Sequence, residues 1–278
     1  MTAIPPKLAA LPLVDFEKTV LSGCLRVVED EDNPVRLNFF AAGVREIFGH
    51  VLHRLAPDRE VSACSWFKQE PTTKGPTRKQ RAKYATQGGL SDGFIEEAGI
   101  DVSHLHDEAI HAVDRLSKFT HIRPGVVVTD QAQIEAFVGD ALAALEGLFA
   151  SFEQCRKQVV EAVFDHIDEE VVSALISDTI LSLDELASHH SVEEVCAEEM
   201  RVTGITHEAV TFAIAGTVGV ELQWGSNSDV RRGDGAVMER GFPFSVTMLS
   251  PVDDITRFQD VDCSVDTSGW WEGYYDEE

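Results

Sequence analysis

Arg45-Glu46-Ile47-Phe48-Gly49-His50 places an arginine and a histidine five residues apart on an apolar stretch. These are the residue types that metal-free phosphodiester cleavage needs. An imidazole can take a proton from a ribose 2′-OH or give one to a leaving oxygen. A guanidinium can hold and neutralise a scissile phosphate. Five residues of α-helix turn through about 500°, so the two side chains diverge by about 140° and form no simple i, i+4 pair. They serve one site if the helix is kinked or a second copy of the chain contributes. Otherwise Arg45 and His50 flank a core stripe and cap or pair locally.

A second set is the basic island Lys74, Arg78, Lys79, Arg81 and Lys83, with no acid between Pro71 and Ser91. Trp66, Phe67 and Tyr84 lie close by in sequence. Cations beside aromatics suit phosphate contact and base stacking. The competing reading is a solvated loop.

A third set lies in Gly219–Gly235. In a strand, Glu221 and Gln223 fall on one face, and Val220, Leu222 and Trp224 on the other. Asp229 and Asp234 follow in a Gly/Ser/Asn-rich loop, and Glu208 lies upstream. These oxygens can hold a divalent metal or a ligand, or simply shape a hairpin turn. His104 with His106, and His189 with His190, are also possible metal-binding pairs, but each lacks a third ligand at suitable spacing. Arg115 and His121 repeat the Arg/His pattern at looser spacing.

Three resemblances follow from these strings. Arg-x4-His on a helix of an all-helical region, with polar Glu46 directly after the arginine, resembles the HEPN superfamily of prokaryotic ribonucleases. That likeness implies dimers with the motif at the interface, Arg45 on phosphate and His50 as acid/base. The Glu221/Gln223 segment resembles the restriction-endonuclease-like acid…acid-x-Lys core, with Gln223 in the lysine place. More broadly, NFFAAGVREIFGHVLHRLAP, CSWF, TRKQRAKYATQGGLSDGF, VELQWGSNSDVRRGDGA and the DTSGWWE end are similar to the predicted pPIWI-associating nucleases of prokaryotic conflict systems.

The elements that must position these residues are mostly helices. Apolar periodicity predicts helices over 13–30, 35–56, 104–120, 129–164 (with a possible break near Gly147) and 168–187. A short helix is expected within Val61–Phe67, and another after Thr77, which can serve as its N-cap. The period then changes. Residues 210–224 and 242–249 read as strands, separated by a polar loop over Gly225–Gly235. The fold class expected is α+β, with a helical domain over 1–190 and a small antiparallel, β-rich acidic domain over 191–278.

Charge follows the same division. Residues 1–130 carry 16 Lys/Arg and 18 Asp/Glu, whereas residues 131–278 carry 7 and 30. The formal net charge of −25 therefore sits almost wholly in the second half. It repels nucleic acid there and leaves the first half free to bind it. An acidic second half can also restrain a basic patch in the first. The five cysteines, Cys24, Cys64, Cys155, Cys196 and Cys263, are widely spaced and contain no Cys-x-x-Cys pair, which argues against a disulfide framework or zinc finger. No signal-peptide pattern or membrane-length apolar run is present, so a cytoplasmic location is expected. Walker A, nucleophile-elbow and dinucleotide fingerprints are absent.

Together these readings point to an effector or accessory protein of antiviral defence that cuts RNA by Arg/His acid–base chemistry without a cofactor. Its expected partners are RNA or another nucleic acid, a protein of the same defence operon and a further copy of itself. The alternative is a non-catalytic module that recognises a protein or ligand through its C-terminal β domain.

Overall fold

The computed structural model describes residues 4–101, 103–177 and 181–271. The chain runs through α1 (Pro6–Ala9), α2 (Asp15–Glu29), α3 (Arg36–Leu55), α4 (Asp58–Ala63), α5 (Arg78–Gln87), α6 (Asp92–Glu97), α7 (Ser103–Phe119), α8 (Gln131–Ala162), α9 (Phe164–Ser177) and α10 (Leu181–Asp184). Then come β1 (His189–Ile205), β2 (Ala209–Trp224), α11 (Asn227–Arg232), β3 (Ala236–Pro251), β4 (Gln259–Val265) and α12 (Ser268–Trp271). The α+β expectation holds: a helical N-terminal region precedes a four-stranded antiparallel sheet. Two compact units comprise residues 1–156 and 157–278. Among the described residues no helix is long and apolar enough to cross a membrane.

In the first unit α3 is the central helix. Leu37, Phe40, Ala41, Val44, Ile47, Phe48, Val51 and Leu52 recur every three or four residues, and all are at most 2% exposed. This is the broad apolar stripe of a helix enclosed on one side. It packs against α2, α5 and α7. The α2–α3 approach is close: a Cβ on Gly43 would collide with the Cys24 sulfur.

Thr77 caps α5 as the sequence predicts. Its hydroxyl accepts the Gln80 N–H, while the Gln80 side chain accepts the Thr77 N–H. This reciprocal pairing satisfies two donors at the helix start. Other boundaries differ from expectation. The short helix expected within 61–67 begins earlier, at Asp58 behind the extended Pro57, where Asp58 and Glu60 put negative charge in the first turn. Helix α8 passes through Gly147 unbroken, one glycine costing a long helix only about 1 kcal/mol.

The sheet of the second unit has strand order β1-β2-β3-β4. Helices α9 and α10 pack on β1, so the change from helix to strand at His189 lies inside this unit. Val210, Phe212, Ile214, Val218, Val220 and Leu222 of β2 alternate inward. They are joined from β3 by Phe242, Phe244, Val246 and Met248. Strands β1 and β4 were not anticipated. Three bulges, after Val192, Ala197 and Val202, break the alternation of β1. The polar stretch Gly225–Gly235 carries α11, whose start Ser226 and Asp229 cap reciprocally.

Candidate active site

On α3, Arg45 and His50 line one open cleft of about 580 Å³. Its other lining residues are Phe16 from α2, Glu46, Gly49, Leu52 and His53 from α3, and Arg78 and Arg81 from α5. The helical angle explains how residues about 140° apart share a site. Taken from Arg45, Gly49 lies at about 40°, His53 at about 80°, Glu46 at about 100° and His50 at about 140°. Arg45 and His50 thus stand toward opposite sides of the cleft floor, with Gly49, His53 and Glu46 between them and Leu52 at about −20°, just beyond Arg45. No kink is required. Gly49 has open space where a Cβ would stand, which keeps the floor low.

His50 is anchored from behind. Its Nδ1 lies 2.8 Å from Oε1 of Glu17, whose side chain is fully buried. Arg54, one turn further along α3, donates from Nε to Oε1 and from Nη2 to Oε2 of the same carboxylate, both at 3.1 Å. The Val14 N–H donates to Oε2 at 2.9 Å. Burial pushes the Glu17 carboxyl up, but the hydrogen bonds from Arg54, His50 and Val14 outweigh it and hold the group below its ordinary value. A carboxylate on Nδ1 fixes the ring's orientation and favours a proton on that nitrogen, the tautomer that leaves the Nε2 lone pair free. The side chain of His50 remains 44% exposed, and the Phe16 ring tilts against it at 5.0 Å between centroids.

Arg45 is steadied by Glu46, which accepts from Nε at 3.2 Å and from Nη2 at 2.6 Å, and by Thr120 Oγ1 at 3.4 Å from Nη1. Arg115 and His121 form no comparable set: Arg115 pairs with Asp140 and His121 lies beyond the end of α7.

The basic island divides by role. Arg81 is buried and donates to the Ala56 carbonyl and to Asp58, whose carboxyl it holds below its ordinary value. Lys79 pairs with Asp107 at 2.8 Å. Lys83 pairs with Asp92 and sits 4.5 Å from the Trp66 ring centroid. Lys74 and Arg78 are exposed, with no carboxylate in ion-pair range among the described residues, and Arg78 faces the cleft. The neighbouring aromatics are structural. Tyr84 is buried with its hydroxyl on Glu60, and burial followed by the Glu60 charge pushes that hydroxyl far up. Trp66 donates to the Gly88 carbonyl at 2.9 Å.

The acidic residues of the second unit are dispersed. Glu208 sits in the β1–β2 turn, its carboxylate 3.5 Å from His207. Glu221 lies thirteen residues up β2, on the order of 40 Å away at strand rise. Glu221 and Gln223 do share the face opposite buried Val220 and Leu222. Gln223 is bonded to the Gly225 carbonyl and to Asn227. Asp229 is held low by the Ser226 hydroxyl and N–H and by Arg232, which also lies near Asp234. No group of three or more His, Cys, Asp or Glu is gathered for a metal ion among the described residues. His190 pairs with Asp184 at 3.2 Å. The side chains of His104 and His106 lie outside the described residues.

Two residues that line the cleft, His53 and Phe16, and the buried Glu17 behind His50 were not singled out by the sequence. His53 had a signal, being three residues after His50 on a helix. Glu17 and Phe16 lie more than thirty residues away in the chain and meet His50 only through α2–α3 packing.

Residues 11–145 match one family model and residues 152–271 match a second, each described as a predicted pPIWI-associating nuclease. No match is found among curated proteins or solved structures. The two matched segments span nearly all of the sequence, and the chain therefore carries both domains of a predicted pPIWI-associating nuclease.

Proposed function

We propose that the helical unit is a ribonuclease that works by acid–base chemistry at Arg45, His50 and His53. The observation that carries this reading is the buried Glu17 carboxylate on His50 Nδ1, at the margin of a cleft that also holds Arg45. A buried carboxylate orienting a half-exposed histidine is how enzymes prepare an imidazole for proton transfer. The Arg-x4-His spacing, resembling HEPN ribonucleases, agrees with it.

In this mechanism Nε2 of His50 takes the proton of a ribose 2′-OH. The freed oxygen attacks the adjacent phosphorus, and the P–O5′ bond breaks. The departing O5′ receives a proton from the His53 imidazolium. The products are a 2′,3′-cyclic phosphate end and a 5′-hydroxyl end. Arg45, held by Glu46 and Thr120, neutralises the charge that grows on the non-bridging oxygens. Arg78 attracts the phosphate backbone to the cleft. The role is that of an effector in a pPIWI-associated defence system.

The test is cleavage of a labelled RNA with chelator present, beside DNA of the same sequence. Wild type should cut the RNA and leave the DNA intact, because only RNA has the 2′-OH. Arg45→Ala and His50→Ala should each lose at least about a hundred-fold in rate while staying folded. RNA cleavage that survives both substitutions would sink the assignment.

A further inference from the structure

The cleft also contains an aromatic surface that acid–base chemistry does not need. Phe16 is 55% exposed, one of the large apolar side chains left open to solvent. It stands on the first turn of α2, next to Glu17, and its ring contacts the His50 imidazole. Arg45 and Arg78 line the same cleft. An exposed ring in a cleft that also holds cations is the combination that holds a nucleobase by its face while the backbone lies on positive charge. The aromatics beside the basic island, Trp66 and Tyr84, are instead engaged in a small core cluster.

We propose that Phe16 is a base-stacking subsite that selects single-stranded RNA and sets the cut beside a stacked, unpaired base. This rests on the cleavage reading above and names its substrate class. In a duplex each base already has neighbours on both faces and lies behind a groove that side chains cannot enter deeply. Only an unpaired nucleotide can lay its base on Phe16. Because the ring touches His50, that nucleotide's own phosphodiester is carried to the imidazole. The cleft volume of about 580 Å³ lies within the range of sites that enclose a small-molecule-sized ligand.

Binding and cleavage test this separately. A short fluorescent RNA, single-stranded or annealed to its complement, is titrated by anisotropy against the full chain carrying His50→Ala, with and without Phe16→Leu and Phe16→Trp. Single-stranded RNA should bind more tightly than duplex. Phe16→Leu should weaken it on the order of ten-fold, and Phe16→Trp should restore it. An abasic nucleotide beside the cut site should mimic Phe16→Leu and add nothing to it. In the otherwise wild-type chain, Phe16→Leu should raise KM more than it lowers kcat. Equal binding of duplex and single strand, or indifference to Phe16→Leu, overturns the subsite even if RNA is cut. Phe16-dependent binding of single strands without any cleavage supports the subsite and instead defeats the cleavage reading.

Discussion

Glu17 Oε1 lies 2.8 Å from His50 Nδ1, across a separation of 33 residues, and the carboxylate has no exposed surface of its own. The pair joins the first turn of α2 to the solvent-facing stripe of α3. Arg54 and the Val14 N–H complete the carboxylate's hydrogen bonds, so its burial leaves no charge uncompensated.

Glu17→Gln keeps the shape and removes the charge. The rate of RNA cleavage should fall roughly ten- to a hundred-fold, less than the loss of the imidazole, since proton transfer as a whole contributes about 10²–10⁴. RNA binding should stay within about two-fold. Nitrogen chemical shifts of His50 should show a changed tautomer balance. A full rate in Glu17→Gln would make the carboxylate merely structural.

The same residue gives a pH dependence. Glu17 is held below its ordinary value of 4.5 in the folded chain, so near that pH the unfolded chain binds more protons. Its contribution to stability is therefore complete above about pH 4.5 and is lost as pH falls through the lower folded value. Urea unfolding from pH 3 to 7 should show a shallower acid limb in Glu17→Gln than in wild type. At pH 7 the variant should be less stable by about 1–3 kcal/mol.

Arg81 and Arg78 are three residues apart and should behave oppositely. Arg81→Ala strips the Ala56 carbonyl and Asp58 of a buried donor and should destabilise the fold by about 2–4 kcal/mol. Arg78 is exposed, so Arg78→Ala should leave stability within about 0.5 kcal/mol. It should instead weaken RNA binding and lower the salt slope by about one. Chemical unfolding and binding at several salt concentrations check both.

Gly43→Ala tests whether helix packing sets the site. The added methyl would strike the Cys24 sulfur and push α2 from α3, at about 1–3 kcal/mol. Since Glu17 and Phe16 ride on α2, cleavage should fall with stability. Combining Gly43→Ala with Cys24→Ala should recover part of both.

Glu221→Ala should leave RNA cleavage unchanged. Glu221 is half-buried on β2, far along the strand from Glu208. Chelator-sensitive cleavage lost in this variant would move the chemistry to the second unit.

The longer helices were legible because their apolar spacing is regular, as in α3, and the start of α5 because Thr77 is a strong cap, whereas the short α1, α6, α11 and α12 carry too few residues to show a period. Strand β1 was not, for a definite reason. Its inward residues Val192, Val195, Ala197, Met200, Val202 and Ile205 pair with Val220, Val218, Gly216, Ile214, Phe212 and Val210. The β2 members are two residues apart, but each bulge in β1 adds one, giving steps of three and two. That pattern resembles neither a strand nor a helix. The added residues place Glu193 with Glu194, and Glu198 with Glu199, side by side and exposed along the edge. Arg45 and His50 were legible by type, but not the cleft between them. The group that anchors His50 from behind is Glu17, an acid that reads in sequence as ordinary first-turn helix charge.

Each strand of the sheet lies beside its neighbour in the chain. No pairing has to wait for a distant segment, so the entropy of closing each connection stays small. Such a sheet can assemble hairpin by hairpin, starting at the tight turn over Thr206–Glu208, where the Thr206 N–H meets the Ala209 carbonyl at 2.8 Å. Among β topologies this is the rapid kind. During synthesis, β1 and β2 can pair before β3 has left the ribosome, and each later strand finds a finished edge waiting.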